Sequence, residues 1–111
     1  MAFDEHLANR VRALLGDATE LTEKRMFGGL AFLVNGNMSV SASGRGGLLV
    51  RVDPAETRGL LRRAHVHAFE MRGRDLDGWL RVDEEGLRTK RQLEAWVARG
   101  VDYAASLPPK G

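Results

Sequence analysis

The sequence has no cysteine. That excludes disulfides, thiol catalysis and cysteine-ligated zinc, and it accords with a reducing cytoplasm. Its longest apolar run, Leu30 to Val34, falls far short of the roughly 20 residues a membrane-spanning helix needs. The N-terminus, Met1-Ala2-Phe3-Asp4-Glu5-His6, is acidic where a secretion signal is basic, so a cytoplasmic location is expected. Neither sign of charge prevails: 17 Lys and Arg face 15 Asp and Glu, for a net charge of +2. The pI of about 9.5 reflects arginine, which stays charged at any relevant pH. Such a balance is not the footprint of a dedicated nucleic-acid binder, although a local basic patch remains compatible with it.

What remains is an ordinary globular composition, 43% hydrophobic and 29% charged over 111 residues. That length makes one domain, 1–111, with a hydrophobic core of its own. Phe3, Leu7, Val11, Leu14 and Leu15 recur at helical spacing, so the first helix is expected from Asp4 to Leu15, with Gly16 as its C-terminal cap. Thr22 to Phe27 alternates as a strand until Gly28-Gly29 breaks it. Leu30 to Val34 forms a second strand, and Asn35-Gly36 predicts a tight hairpin turn because both residues tolerate φ > 0. On the third strand Met38, Val40 and Ala42 alternate with Ser39, Ser41 and Ser43, which predicts one buried and one polar face. A glycine loop, Ser43 to Gly47, leads to a fourth strand, Leu48 to Val52.

Asp53-Pro54-Ala55-Glu56 opens a second helix, with Asp53 as cap, Pro54 in the first position and Glu56 reaching back to the cap. That helix is expected to fade near Ala64, with Leu60, Leu61 and Ala64 inward. Phe69 and Met71 suggest a short strand, Gly73 to Gly78 a polar turn, and Trp79 to Val82 a fifth strand. Thr89-x-x-Gln92 is a capping box for the last helix, which buries Leu93, Trp96, Val97, Gly100, Val101, Ala104 and Leu107 before Pro108-Pro109 stops it. The expected fold is α+β: a two-layer sandwich, with an antiparallel sheet of about five strands and helices on one face.

At this point the chain resembles the N-terminal domain of the TfoX/Sxy family, bacterial regulators named for their role in natural competence. The likeness rests on the opening helix with its acidic connector and on Thr22-Glu23-Lys24-Arg25-Met26-Phe27-Gly28-Gly29 with the following Leu30-Ala31-Phe32-Leu33-Val34-Asn35-Gly36-Asn37-Met38. Gly78-Trp79-Leu80-Arg81-Val82, Trp96-Val97 and Tyr103-Ala104-Ala105-Ser106-Leu107-Pro108-Pro109-Lys110 complete it. The resemblance implies a fold like that of secretion chaperones: helix, three strands, helix, two strands, helix. Full-length competence regulators carry a second, helical domain, which this sequence lacks after Gly111, so activity that needs that domain is not carried over. The family supplies no catalytic residues to transfer.

Each candidate site has a functional and a structural reading. Arg25, beside Glu23 and Lys24, either presents charge to a partner or pairs across the sheet. With Met26, Phe27, Gly28, Gly29 and Trp79 it makes the set of interaction candidates. The glycines also have a structural reading in positive φ or close backbone approach. Trp79 reads as a core aromatic or as a contact on an edge strand. Arg58, Arg62 and Arg63 form one basic stripe and Arg88, Lys90 and Arg91 another. They are nucleic-acid candidates, weighed against nearby acids and the lack of interleaved aromatics for base stacking.

His65 and His67 are weak metal candidates. A third ligand would have to come from Asp75, Asp77 or His6, and a helix end is the more ordinary place for a histidine. Ser43-Gly44-Arg45-Gly46-Gly47 lacks the lysine and the following helix of a phosphate loop. Asp75 with Asp77 and Glu84 with Glu85 are paired carboxylates in places where turns and helix starts attract acids anyway. Ser39, Ser41 and Ser43 have no partner base. No catalytic residue and no cofactor is therefore expected. The leading expectation is a non-enzymatic protein-interaction or regulatory module that binds a protein partner, or a second copy as a dimer, through a sheet edge or the exposed sheet face. A nucleic-acid-binding accessory using the arginine stripes is the alternative. A small-ligand protein or enzyme, with a cleft lined by Arg25 and the histidines, ranks third.

Overall fold

The computed structural model describes residues 5–16, 21–26, 28–44, 46–71 and 73–109. Helix α1 (Glu5–Leu15) is followed by strands β1 (Leu21–Met26), β2 (Gly29–Val34), β3 (Asn37–Ala42) and β4 (Leu48–Arg51). A 3₁₀ turn (Pro54–Glu56) leads into the short helix α2 (Thr57–Leu60), then β5 (Val66–Met71), β6 (Arg74–Val82), a second 3₁₀ turn (Glu84–Leu87) and the long helix α3 (Lys90–Ser106). The six strands form one antiparallel sheet in the order β1-β2-β3-β4-β6-β5. The helices pack on one face of it, so the predicted α+β sandwich holds, with six strands where about five were expected.

Local chemistry explains most boundaries. Asn35 (φ 51°) and Gly36 (φ 84°) make the two-residue turn between β2 and β3. Thr89 caps α3: its hydroxyl accepts from the Gln92 N–H at 3.0 Å, and the Gln92 side chain accepts from the Thr89 N–H at 3.0 Å. Two of the orphan donors at the helix start are thereby satisfied. Gly16 closes α1 in the left-handed region at φ 63°, donating to the Arg12 carbonyl.

The second helix departs from expectation. Asp53 does cap the chain, accepting from the Ala55 N–H at 2.9 Å. The Glu56 carboxylate, however, turns away to Arg99 of α3 at 3.0 Å. The turn is 3₁₀, the α-helical part ends at Leu60, and Ala64 is exposed. Thr57 is buried, and its hydroxyl accepts from the Gly78 N–H at 2.8 Å, anchoring β6 to this corner. The polar turn expected over Gly73 to Gly78 is largely strand, because β6 already begins at Arg74 and pairs with β5 there.

The main core lies between sheet and helices. Phe32, Val40, Leu48, Val50, Leu80 and Val82 from the strands meet Leu7 and Val11 of α1, Leu87, and Leu93, Trp96 and Val97 of α3. Arg12 of α1 donates two hydrogen bonds of 2.7 Å to Glu23 of β1, tying that helix to the sheet edge. Those bonds hold the Glu23 carboxyl below its ordinary value, with burial opposing. A group whose pKa is lowered by folding stabilises the protein above its unfolded value, and the gain is lost as pH falls through the folded value. Glu23→Gln is therefore expected to flatten the acid limb of the stability curve below about pH 4.5. The pair is well exposed, so at pH 7 the loss should not exceed about 1 kcal/mol. Urea unfolding of both proteins across pH would measure it.

Candidate functional site

A sheet has two faces, and among the described residues the helices pack on only one. The other face carries a small cluster of its own: Ala31, Met38 and Leu49 are buried, with Leu33, Phe69 and Trp79 half-buried against them. All six are strand residues. The register explains how they meet. One row crosses the whole sheet as Lys24, Ala31, Ser41, Leu49, Arg81 and His67, each opposite the next on the neighbouring strand. Beside it, Thr22 lies opposite Leu33 and Leu33 opposite Met38, while Arg51 lies opposite Trp79.

A bulge decides the membership of Met38. Pairing shifts between Phe32 and Leu33, so that Val40 is opposite Phe32 but Met38 is opposite Leu33. The extra residue is Ser39, fully buried, whose hydroxyl donates to the Phe32 carbonyl at 2.8 Å. The expected alternation on β3 is corrected accordingly. Met38 does not share a face with Val40 and Ala42, and every residue of β3 is buried, because a bulge reverses the parity of what precedes it.

Along the two rows that cross this face the charge is of one sign. Its two rows contribute Lys24, Arg51 and Arg81, and no acid. The Arg51 guanidinium stands 5.1 Å from the Trp79 ring centre and 5.9 Å from that of Tyr103 on α3, so two aromatic faces attract the cation. At the β5 margin His67 Nε2 lies 2.6 Å from Asp83 Oδ2. Asp77 is exposed on β6, two residues before Trp79.

The predicted interaction candidates divide over different places. Trp79 belongs to this face, but β6 is interior and β5 is the edge, because β6 inserts between β4 and β5. Arg25 is opposite Leu30, on the helix side of the edge strand β1, and does not join Trp79. Met26 closes β1 opposite Gly29, and Phe27 lies outside the described residues. Gly28 has φ 73°. A Cβ on Gly29 would run into the backbone carbonyl of Ala42, with Ser41 Oγ at 3.1 Å. Gly29→Ala is thus expected to cost about 2–3 kcal/mol by overpacking against backbone that cannot yield. Thermal melting reads this directly, and an unchanged melting temperature would refute the close-approach reading of that glycine.

The basic stripes are partly committed elsewhere. Arg63 lies 5.5 Å and Arg99 5.8 Å from the Trp96 ring centre. An aromatic thus does interleave there, but it is a buried one gripping the helices to the sheet. Arg58 and Arg62 are exposed near α2, and Arg88, Lys90 and Arg91 are exposed at the start of α3. Near them, Arg10 of α1 donates to the carbonyls of Leu87 at 2.8 Å and Arg88 at 3.3 Å. His65 adopts a positive φ of 68° and His67 is held by Asp83. Among the described residues no group of three His, Cys, Asp or Glu side chains stands close enough to hold a metal. Arg25 and the two histidines lie at opposite edges of the sheet, about five strand spacings or 24 Å apart, so they line no common cleft.

Sequence reasoning missed Lys24, Arg51 and Arg81 as a group, and Leu33 and Leu49 as their apolar neighbours. A signal was present. Leu30 to Val34 is apolar without alternation, which is how a strand buried on both faces reads.

The fold is an α+β sandwich whose helices pack on one face of a six-strand antiparallel sheet, with a small apolar centre on the other. The TfoX N-terminal domain model matches residues 13–104, nearly the whole chain, and the protein belongs to that family. Neither a search of curated proteins nor one of solved structures returned a match. Among the described residues no helix is long and apolar enough to cross a membrane.

Proposed function

We propose that this protein is a non-enzymatic interaction module whose helix-free sheet face docks a partner protein. One observation carries the reading: Ala31, Met38 and Leu49 build a second apolar centre entirely from strand residues, rimmed by half-buried Leu33, Phe69 and Trp79. Aromatic and aliphatic side chains gathered in one spot and ringed by polar groups are what a docking surface presents. The resemblance to competence regulators supports a regulatory role for that docking, and it adds no catalytic group.

The test places a photoreactive benzoylphenylalanine at Phe69, where the ring is nearly conserved, and at Ala13, which is exposed on α1. Irradiation in cells should yield a discrete protein adduct from position 69 and none from position 13. Adducts to nucleic acid, equal adducts from both positions, or none at all would overturn the reading.

A further inference from the structure

Charge on this face is sorted in a way the whole chain is not. The chain carries 17 basic and 15 acidic residues, yet the two rows that cross the bare face hold Lys24, Arg51 and Arg81 and no Asp or Glu. The acids beside it gather at its β5–β6 end: Asp83, which His67 holds at 2.6 Å, and the exposed Glu70, Asp75 and Asp77, with Glu70 opposite Asp75. The cations also surround the apolar centre. Lys24 is opposite Ala31, Arg81 is opposite Leu49, and Arg51 is opposite Trp79. Arg51 already lies against two aromatic rings, so it loses little side-chain freedom when it meets an anion.

From this complementarity, and resting on the docking role proposed above, we infer that the partner presents an acidic segment interrupted by apolar side chains. Its leucine or aromatic groups pack on the half-buried Leu33, Phe69 and Trp79, while its carboxylates reach Lys24, Arg51 and Arg81. The span sets a spacing. Lys24 and Arg81 lie on strands four spacings apart, about 19 Å. An extended segment covers that distance in about six residues. Nucleic acid is the weaker fit: of the aromatics on this face Trp79 is already occupied by Arg51, 5.1 Å from its ring centre, and the half-buried Leu33 offers a base no stacking partner.

A library of random dodecapeptides displayed on phage, selected against the intact protein, tests this chemistry without assuming a sequence. The winners are expected to combine Asp or Glu with Leu, Phe or Trp. They should lose about tenfold or more in affinity on Arg81→Glu or Lys24→Glu, as loss of charge complementarity predicts, and retain affinity on Arg81→Lys. In a Trp96→Phe background their binding should shift the emission of Trp79. Circular dichroism of each variant guards against unfolding as the cause. Neutral or basic winners, winners indifferent to both charge reversals, or no enrichment would overturn the inference. So would an oligothymidylate that displaces the selected peptides, or sedimentation showing a self-associated dimer that the same substitutions dissolve. A protein adduct at position 69 together with neutral winners would retain the docking role and reject only its acidic partner.

Discussion

Phe32→Ala should lose about 3–5 kcal/mol of stability, while Trp79→Ala should leave the domain folded and remove partner binding. Both residues are large aromatics on the same sheet, and they differ in which face they serve. Phe32 is 2% exposed and packs in the main core against the helices. Removing its ring leaves a cavity that strands on one side and helices on the other cannot close. Against a total stability of about 5–15 kcal/mol, that loss brings the variant near unfolding at body temperature. Trp79 is half-buried on the bare face, with Arg51 beside its ring. Its removal gives up partial burial and one cation–π contact, together about 1–2 kcal/mol. Urea unfolding of the two variants, read beside crosslinking from position 69, separates the roles. Equal destabilisation by both would mean that Trp79 is a core residue and that the bare face needs no partner.

The second large effect runs against helix propensity. Gly100→Ala should lower stability, although alanine is the better helix former by about 1 kcal/mol. Gly100 is buried in the middle of α3, where the helix crosses β3. A Cβ there would sit 2.6 Å from the Ser39 carbonyl oxygen and 2.7 Å from Val40 Cγ1. Ser39 is the bulged residue, and its hydroxyl is already bonded to Phe32, so this backbone has little room to retreat. Overpacking of about 1–3 kcal/mol should outweigh the propensity gain, and Gly100→Val should fare worse still. Calorimetry gives the sign: a higher melting temperature for the alanine variant would show that α3 can lift from the sheet at no cost.

Both predictions depend on features of different legibility. The turn Asn35-Gly36, the Thr89–Gln92 capping box, the Asp53-Pro54 opening and the buried stripe of α3 are local. Each is decided by residues within one turn, and each can be read directly along the chain. The burial of Gly100 was readable from periodicity. Its cause, the close pass over Ser39, was not, since the two residues lie far apart in sequence and meet only through packing. Glu56 shows the same limit. Its position suits a capping box, but Arg99 on a distant helix offers a charged partner, and the longer-range pair prevailed.

The candidate site was the least legible part. Trp79 was singled out along the chain, while Arg25 and Gly29, which stand near one another in sequence, fall elsewhere: Arg25 opposite Leu30 on the helix side, and Gly29 against the backbone of Ala42. Lys24, Arg51 and Arg81 come from three strands and carry no common motif. They become neighbours only because β6 enters the sheet between β4 and β5.

By itself the sequence determined the class of fold, the order of its elements, the hairpin and caps that start and stop them, and the family. These follow from periodicity and turn chemistry, which act over a few residues. Only the tertiary structure decided which side chains share the bare face. Strand order and the bulge at Ser39 set that, and a one-residue change in register moves every side chain beyond it from one face of a sheet to the other.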